Sequence, residues 1–475
     1  MECSWKMMLL LVCASLGVQY TAIRTLRDSL SGRCRGVYHC QSQHHRGKEA
    51  SGNARRRWTT QPGGGRSGQK QPRRTEELRW WILRNVVGCF VIPESKWRSF
   101  CNESWPFTEE APRKHILLFA TTRSGSSFTG QLLNHHPEIF YMFEPLYHVQ
   151  QAFTNSSGGP RRRLERRALL GAYRDLLLNL YNCDLHFVES YIRPEPQDHV
   201  TNSFFRRSSS HALCSPPVCP EGEDGTGLRT SDPPEETRCP KKCGALNLTL
   251  ASASCLSRGH VAIKTVRIPE VGDLRTLAED PRLDLKIIHL VRDPRAILAS
   301  RMMTFSDQFR AWKIWNATGR QPRSVDLSQI TSTCKDMVAS AETGLQNPAW
   351  LQGRYLLVRY EDLAFNPQHK ASEIYRFVGL ELEDRVRMWM TRNTRGGSSA
   401  PSELNYRYST TRDSRVAAES WRLHLDFDIV RTVQNQCNRT LDLLGYRPVH
   451  SAAQLRNLSH SLLETRTFQP GLWPT

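Results

Sequence analysis

The stretch His115-Ile-Leu-Leu-Phe-Ala-Thr-Thr-Arg-Ser-Gly-Ser-Ser-Phe128 constrains the fold of this chain more than any other. Residues 116–120 are continuously apolar, as in a strand buried on both faces. Phe128, Leu132 and Leu133 then recur at helical spacing up to Asn134-His-His-Pro137. A strand, a loop and a helix are expected in that order. The loop consists of Thr121, Thr122, Arg123, Ser124, Gly125, Ser126 and Ser127. Small residues let backbone N–H groups and hydroxyls converge on an anion at the helix N-terminus, where the helix dipole also favours negative charge. Arg123 adds a planar, permanent charge suited to phosphate or sulfate oxygens. With a single Gly and no Gly-Lys-Ser/Thr, this is not a Walker A loop. Taken alone, the stretch also fits a surface turn with an incidental Arg.

Downstream, apolar runs at 139–143, 260–266, 285–291 and 354–358 are interspersed with helical patterns at 166–181 and 372–378. This alternation argues for an α/β fold with a central parallel sheet flanked by helices, whose ligands bind beyond the carboxyl ends of the strands. The run at 285–291 leads into Arg292-Asp-Pro-Arg-Ala-Ile-Leu-Ala-Ser300. Asp293 followed by Pro294 reads as N-cap and first helical residue, a structural role. Arg292 falls at the strand tip and Ser300 about two turns into the helix. An isolated Arg there is more often a surface ion pair. Two strand-to-helix turns, each with Arg and Ser, instead suit a ligand with anions at two places, such as a nucleotide carrying 5′ and 3′ phosphates.

The chain's 475 residues exceed what one small core organises. Residues 1–6 read as a short tail and 7–23 as a nearly apolar membrane anchor or signal peptide, short for a bilayer crossing. Lys6 precedes this run while Arg24 and Arg27 follow it, so charge leaves the orientation open. Residues 24–79 read as a low-complexity stem. Within 24–80, fourteen Lys and Arg stand against four Asp and Glu, which supplies ten of the net charge of +19. Charge confined to such an arm, without a zinc-finger, homeodomain or aromatic RNA-binding signature, argues against nucleic acid as a partner. The globular domain is expected over 80–475, with residues 80–92 packed as a helix or strand at its entrance. Of 14 cysteines, Cys214, Cys219, Cys239 and Cys243, with Cys255 nearby, bracket a Pro/Gly/Glu-rich insertion near 214–255. The spacing is loose for zinc, so disulfides are expected. Sequons at Asn102, Asn155, Asn247, Asn316, Asn438 and Asn457 agree with a lumenal or extracellular domain.

At residues 121–127 and 292–300 the chain resembles the Golgi carbohydrate sulfotransferases, which use 3′-phosphoadenylyl sulfate. The first segment looks like that family's 5′-phosphosulfate loop and the second like its 3′-phosphate segment, with Arg292 and Ser300 at the phosphate-ligand positions. The similarity extends through Cys3-Ser-Trp-Lys6, residues 19–24, Phe143-Glu-Pro-Leu-Tyr-His148, Cys183-Asp-Leu185, Arg359-Tyr-Glu-Asp-Leu363 and Glu419-Ser-Trp-Arg422. Within the family it looks most like the keratan sulfate galactose 6-O-sulfotransferases. The resemblance implies a P-loop-like sulfotransferase fold and a type II Golgi membrane protein. It further implies sulfuryl transfer to a sugar 6-hydroxyl, of galactose, N-acetylglucosamine or N-acetylgalactosamine.

The implied reaction needs no metal. Glycan acceptor and Golgi membrane are the expected partners, and a homo-oligomer is left open. A kinase-like phosphotransferase would want Mg²⁺ and a Lys-bearing glycine-rich loop, neither of which is visible. A catalytically silent nucleotide- or glycan-binding paralogue stays open. Arg123 is expected to face the transferred group. Glu144, at the end of the run 139–143, is preferred over His148 as the base that takes the acceptor proton. The competing role for Glu144 is an ion pair with an Arg.

Overall fold

The computed structural model describes residues 112–156, 162–220, 238–394 and 413–468. All of them belong to the unit spanning 107–475. The anchor at 7–23, the stem, residues 80–92, Asn102 and the centre of the insertion lie outside the described residues. Among the described residues, no helix is long and apolar enough to cross a membrane.

The apolar runs form a five-stranded sheet of β1 (His115–Ala120), β2 (Ile139–Phe143), β3 (His260–Thr265), β4 (Leu285–Val291) and β5 (Tyr355–Arg359). The order is β2-β3-β1-β4-β5 and every pairing is parallel. β1 is central, with Leu117 opposite Ile263 on one side and Ile287 on the other.

Side chains alternate between the two faces of the sheet, so each strand feeds two cores. Leu117, Phe119, Phe140 and Met142 pack with Leu176, Leu177 and Leu180 of the helix Arg162–Tyr181. Ile116, Leu118 and Tyr141 pack on the opposite face with Leu132 and Leu133 of α1 (Ser126–Asn134) and with Ile374 and Val378 of the helix Pro367–Val378. A third cluster joins α2 (Pro294–Thr304), through Leu298 and Met302, to Trp312, Trp315, Ile429 and Val433.

Buried arginines tie the C-terminal segment to this frame. Arg359 donates to the carbonyls of Leu444 and Glu464, Arg422 to those of Leu455 and His460, and Arg295 to that of Arg447. The motifs around Arg359 and Arg422 are thus anchors for the chain's end.

The expected cysteine bracket is disulfide-bonded as Cys214–Cys239 and Cys219–Cys243. Cys255, grouped with these by sequence proximity, pairs instead with Cys183. A fourth bond, Cys334–Cys437, fastens the helix Ser328–Leu345 to the C-terminal helices.

Candidate active site

The first turn leaves the central strand and closes on itself. The Ser124 amide and hydroxyl both donate to the Thr121 carbonyl, at 3.3 and 2.8 Å. Arg123 (φ 74°) and Gly125 (φ 92°) take left-handed backbone conformations. At Gly125 a side chain is excluded twice over, because a Cβ would also stand 2.2 Å from the Tyr360 ring. The turn delivers Thr122, Arg123, Gly125, Ser126 and Ser127 to the wall of a cavity of about 1410 Å³, while Thr121 and Ser124 do not line it.

The second turn opens α2 as its sequence predicts, with Asp293 capping the Arg295 amide at 2.8 Å and Pro294 in the first turn. A helix advances by about 100° per residue, so only one stripe of this segment meets the cavity. That stripe includes Ala296, Ala299 and Ser300, joined by Arg292 from the strand tip. Asp293, Pro294, Arg295, Ile297 and Leu298 do not line it. Arg295 is fully buried against both Asp293 oxygens and Gln434, with its guanidinium 4.6 Å from the Trp421 ring. Of the candidate donor-binding residues 292–300, therefore, Arg292, Ala296, Ala299 and Ser300 line the cavity.

The two turns also touch directly. Arg123 Nε donates to Ser300 Oγ at 3.0 Å, and Arg292 donates to the Arg123 carbonyl at 3.2 Å and to that of Ala417 at 3.1 Å. The Arg292 guanidinium lies 4.6 Å from the centre of the Tyr360 ring. Arg301 donates to the Thr122 carbonyl and to Thr333 Oγ1, and burial lowers its pKa to about 10.

Glu144, which also lines the cavity, follows β2 with φ 48° and donates its amide to the Lys264 carbonyl at 2.9 Å. Its carboxylate accepts from Lys264 Nζ and, at 3.0 Å, from Arg267. Burial alone would push this carboxyl up, but the two cations win and hold it below its ordinary range. Lys264 is fully buried on β3, 4.0 Å from the centre of the Phe143 ring. Desolvation lowers it to about 8 against the pull of Glu144.

His148 does not line the cavity. Its Nε2 accepts the Phe205 amide at 3.1 Å, and burial lowers its pKa to about 4, so it is a neutral structural acceptor. Tyr147 and Phe205 stack at 3.8 Å beside Phe143 and form an aromatic face at this end.

Sequence reasoning passed over Lys264, Arg267, Arg301 and Tyr360. Lys264 carried a usable signal, since a Lys inside His-Val-Ala-Ile-Lys-Thr interrupts a strand otherwise fit for two-sided burial. Among the described residues, Arg123, Arg206, Lys264, Arg267, Arg292, Arg301 and Lys313 line the cavity, against the single carboxylate of Glu144. This wall suits a polyanion.

The sequons differ in what their amides do. Asn155 lies near the end of the helix Leu146–Ser156. Asn247 caps the helix Leu248–Leu256, while Asn438 and Asn457 are exposed. Asn316 lines the cavity, donating to the His424 carbonyl and accepting from the Asp426 amide, so its nitrogen is committed within the fold.

Residues 113–445 match the family described as "Sulfotransferase domain". Along nearly its whole length the chain is 47% identical to carbohydrate sulfotransferase 1 of Danio rerio, over 99% of this chain and 100% of that one. The chain belongs to the carbohydrate sulfotransferases. Human carbohydrate sulfotransferase 3 is 43% identical over 75% of this chain and 72% of its own. Among solved structures, the sulfotransferase domain from the curacin biosynthetic pathway is similar with a TM-score of 0.35 and 13% identity, over 70% of this chain and 98% of that one. Membership of this family supports sulfuryl transfer to a sugar as the chain's activity.

Proposed function

We propose that the protein transfers a sulfuryl group from 3′-phosphoadenylyl sulfate to the 6-hydroxyl of galactose in keratan sulfate or related lactosamine glycans. We place it in the Golgi membrane as a type II protein anchored by residues 7–23 and carried on the stem 24–79. The observation that carries the reading is the contact between the two turns, which brings Arg123, Arg292 and Ser300 together on a cavity that Glu144 and Lys264 also line.

Arg292 and Ser300 would hold the donor's 3′-phosphate. Loop amides and hydroxyls of 122–127 would hold its 5′-phosphosulfate, with Arg123 on the group that develops charge. As the acceptor oxygen bonds to sulfur, the bond from sulfur to the bridging phosphate oxygen breaks and its electron pair stays on the 3′,5′-bisphosphate. The hydroxyl proton goes to Glu144. Lys264 and Arg267 keep that carboxylate ionised and aimed, and alignment with preorganised charge supplies the rate. The aromatic face of Tyr147, Phe205 and Phe143 would seat the sugar ring beside this carboxylate.

The test is incubation with labelled sulfate donor and, separately, labelled ATP with Mg²⁺, using lactosamine acceptors, followed by linkage analysis of the product. Label from the sulfate donor at galactose C6 is expected. Label at C6 of an N-acetylhexosamine would replace the acceptor assignment. Label from ATP alone, or none, would overturn the reading.

A further inference from the structure

Away from the cavity, His186, Glu189 and His199 bring three lone-pair donors to one point. His186 and Glu189 lie three residues apart on the 3₁₀ helix Leu185–Tyr191, where side chains at that spacing eclipse. His199 comes from the turn before the short strand Val200–Thr201, held by left-handed backbone at Asp198 (φ 52°) and His199 (φ 61°).

The scaffold behind them is fastened at both ends. Cys183–Cys255 and the bond from the Leu185 amide to Ser252 Oγ hold the helix, and the His199 carbonyl accepts the Leu248 amide at 2.8 Å. The His186 and His199 side chains stay one-third to one-half exposed, so an ion and its water can reach them.

The distances carry the argument. His186 Nδ1 lies 3.3 Å from Glu189 Oε1 and 3.1 Å from His199 Nδ1, which is 2.8 Å from the same Oε1. With ligand bonds of about 2.0–2.2 Å, the edge of a tetrahedral zinc site is about 3.3 Å. The three atoms therefore form a face of nearly that size. Two imidazoles with one carboxylate suit zinc-class ions, whereas Ca²⁺ and Mg²⁺ prefer all-oxygen sets.

We propose that His186, Glu189 and His199 bind one divalent ion of the zinc class, with water as the fourth ligand, clipping the helix Leu185–Tyr191 to the turn at 198–199. None of the three residues lines the cavity, so the clip acts on stability and not on sulfuryl transfer.

The test is calorimetric and thermal titration of the chelator-treated full chain with Zn²⁺. It compares wild type with Glu189→Gln and with the double variant His186→Ala/His199→Ala. Histidines and cysteines elsewhere contribute equally to all three, so the difference isolates this site. Wild type should take up one more equivalent than the double variant and gain a higher melting temperature with Zn²⁺ but not with Mg²⁺. Glu189→Gln should bind that equivalent at least tenfold more weakly. Metal-free activity should be the same in wild type and the double variant. Equal Zn²⁺ uptake and equal thermal shift in wild type and double variant would overturn the proposal, as would no wild-type binding at 100 µM Zn²⁺.

Discussion

Gly125→Ala tests whether the first turn, Tyr360 and the second turn work as one unit. Two costs can be read from the geometry. At φ 92° an added Cβ meets the left-handed penalty of about 1–2 kcal/mol. That Cβ also stands 2.2 Å from a Tyr360 ring carbon, where about 3.5 Å is the nearest comfortable approach, so the ring must retreat by about 1 Å. Tyr360 is buried at the head of the helix Tyr360–Phe365, and overpacking of this kind costs about 1–3 kcal/mol. A total destabilisation of about 3 kcal/mol is expected, seen as a melting temperature lower by several degrees. Moving the ring also takes it from beneath Arg292, a contact worth about 0.5–2 kcal/mol. Affinity for 3′,5′-bisphosphate measured by calorimetry should therefore fall about tenfold, even at temperatures where the variant is folded. A cycle with Tyr360→Ala separates the parts, because removing the ring abolishes the clash and leaves the backbone term, so the two variants should be strongly non-additive. Wild-type melting and wild-type nucleotide affinity in Gly125→Ala would refute the coupling, and strict additivity would refute the clash.

Arg292→Ala should weaken 3′,5′-bisphosphate binding by on the order of 2 kcal/mol in equilibrium titrations, while Arg123→Ala depresses kcat more than donor affinity. Glu144→Gln should lower kcat by about 10²–10⁴ and also destabilise the fold, since it strips the buried Lys264 of its carboxylate partner. Glu144→Gln/Lys264→Met should recover stability without recovering turnover, and a folded double variant with wild-type kcat would end the base assignment. Burial, reinforced by Asp293, raises Glu361 to about 7, so the folded state binds a proton there that the unfolded chain releases near its ordinary value. That contribution is fully present below about pH 4.5 and is lost as pH rises through about 7, a loss of about 3 kcal/mol. Glu361→Gln, whose Oε1 can still accept the Asp293 amide while its Nε2 donates to the Tyr446 oxygen, should flatten this part of the stability curve in denaturant titrations from pH 4.5 to 8.

The strands were legible because a parallel sheet covered on both faces leaves unbroken apolar runs, and β2 and β4 begin and end where those runs do. The helix opening at Asp293-Pro294 was legible for a local reason, since capping depends on neighbours two residues away. The orientation of Arg295 was not, because a single turn of helix decides whether a side chain meets the cavity or the C-terminal helices. The pair Glu144–Lys264 joins residues 120 positions apart on neighbouring strands. Sequence supplied each residue but not the register that makes them partners. Cys255 shows the same limit, since proximity in sequence grouped it with the insertion while the fold brought it to Cys183.

The arginines that reach into the C-terminal segment also bear on how the protein is made. Arg295, Arg359 and Arg422 lie in the first 422 residues, but the carbonyls they use, from Leu444 to Glu464, leave the ribosome later. Until those carbonyls arrive, these three guanidinium groups have no complete set of acceptors, and dry burial of such charges is strongly unfavourable. The contacts of Arg295, in the second turn, can thus be completed only when synthesis is nearly finished. A chain released early carries both turns in its sequence, yet lacks the Arg447 carbonyl that helps to fasten the second.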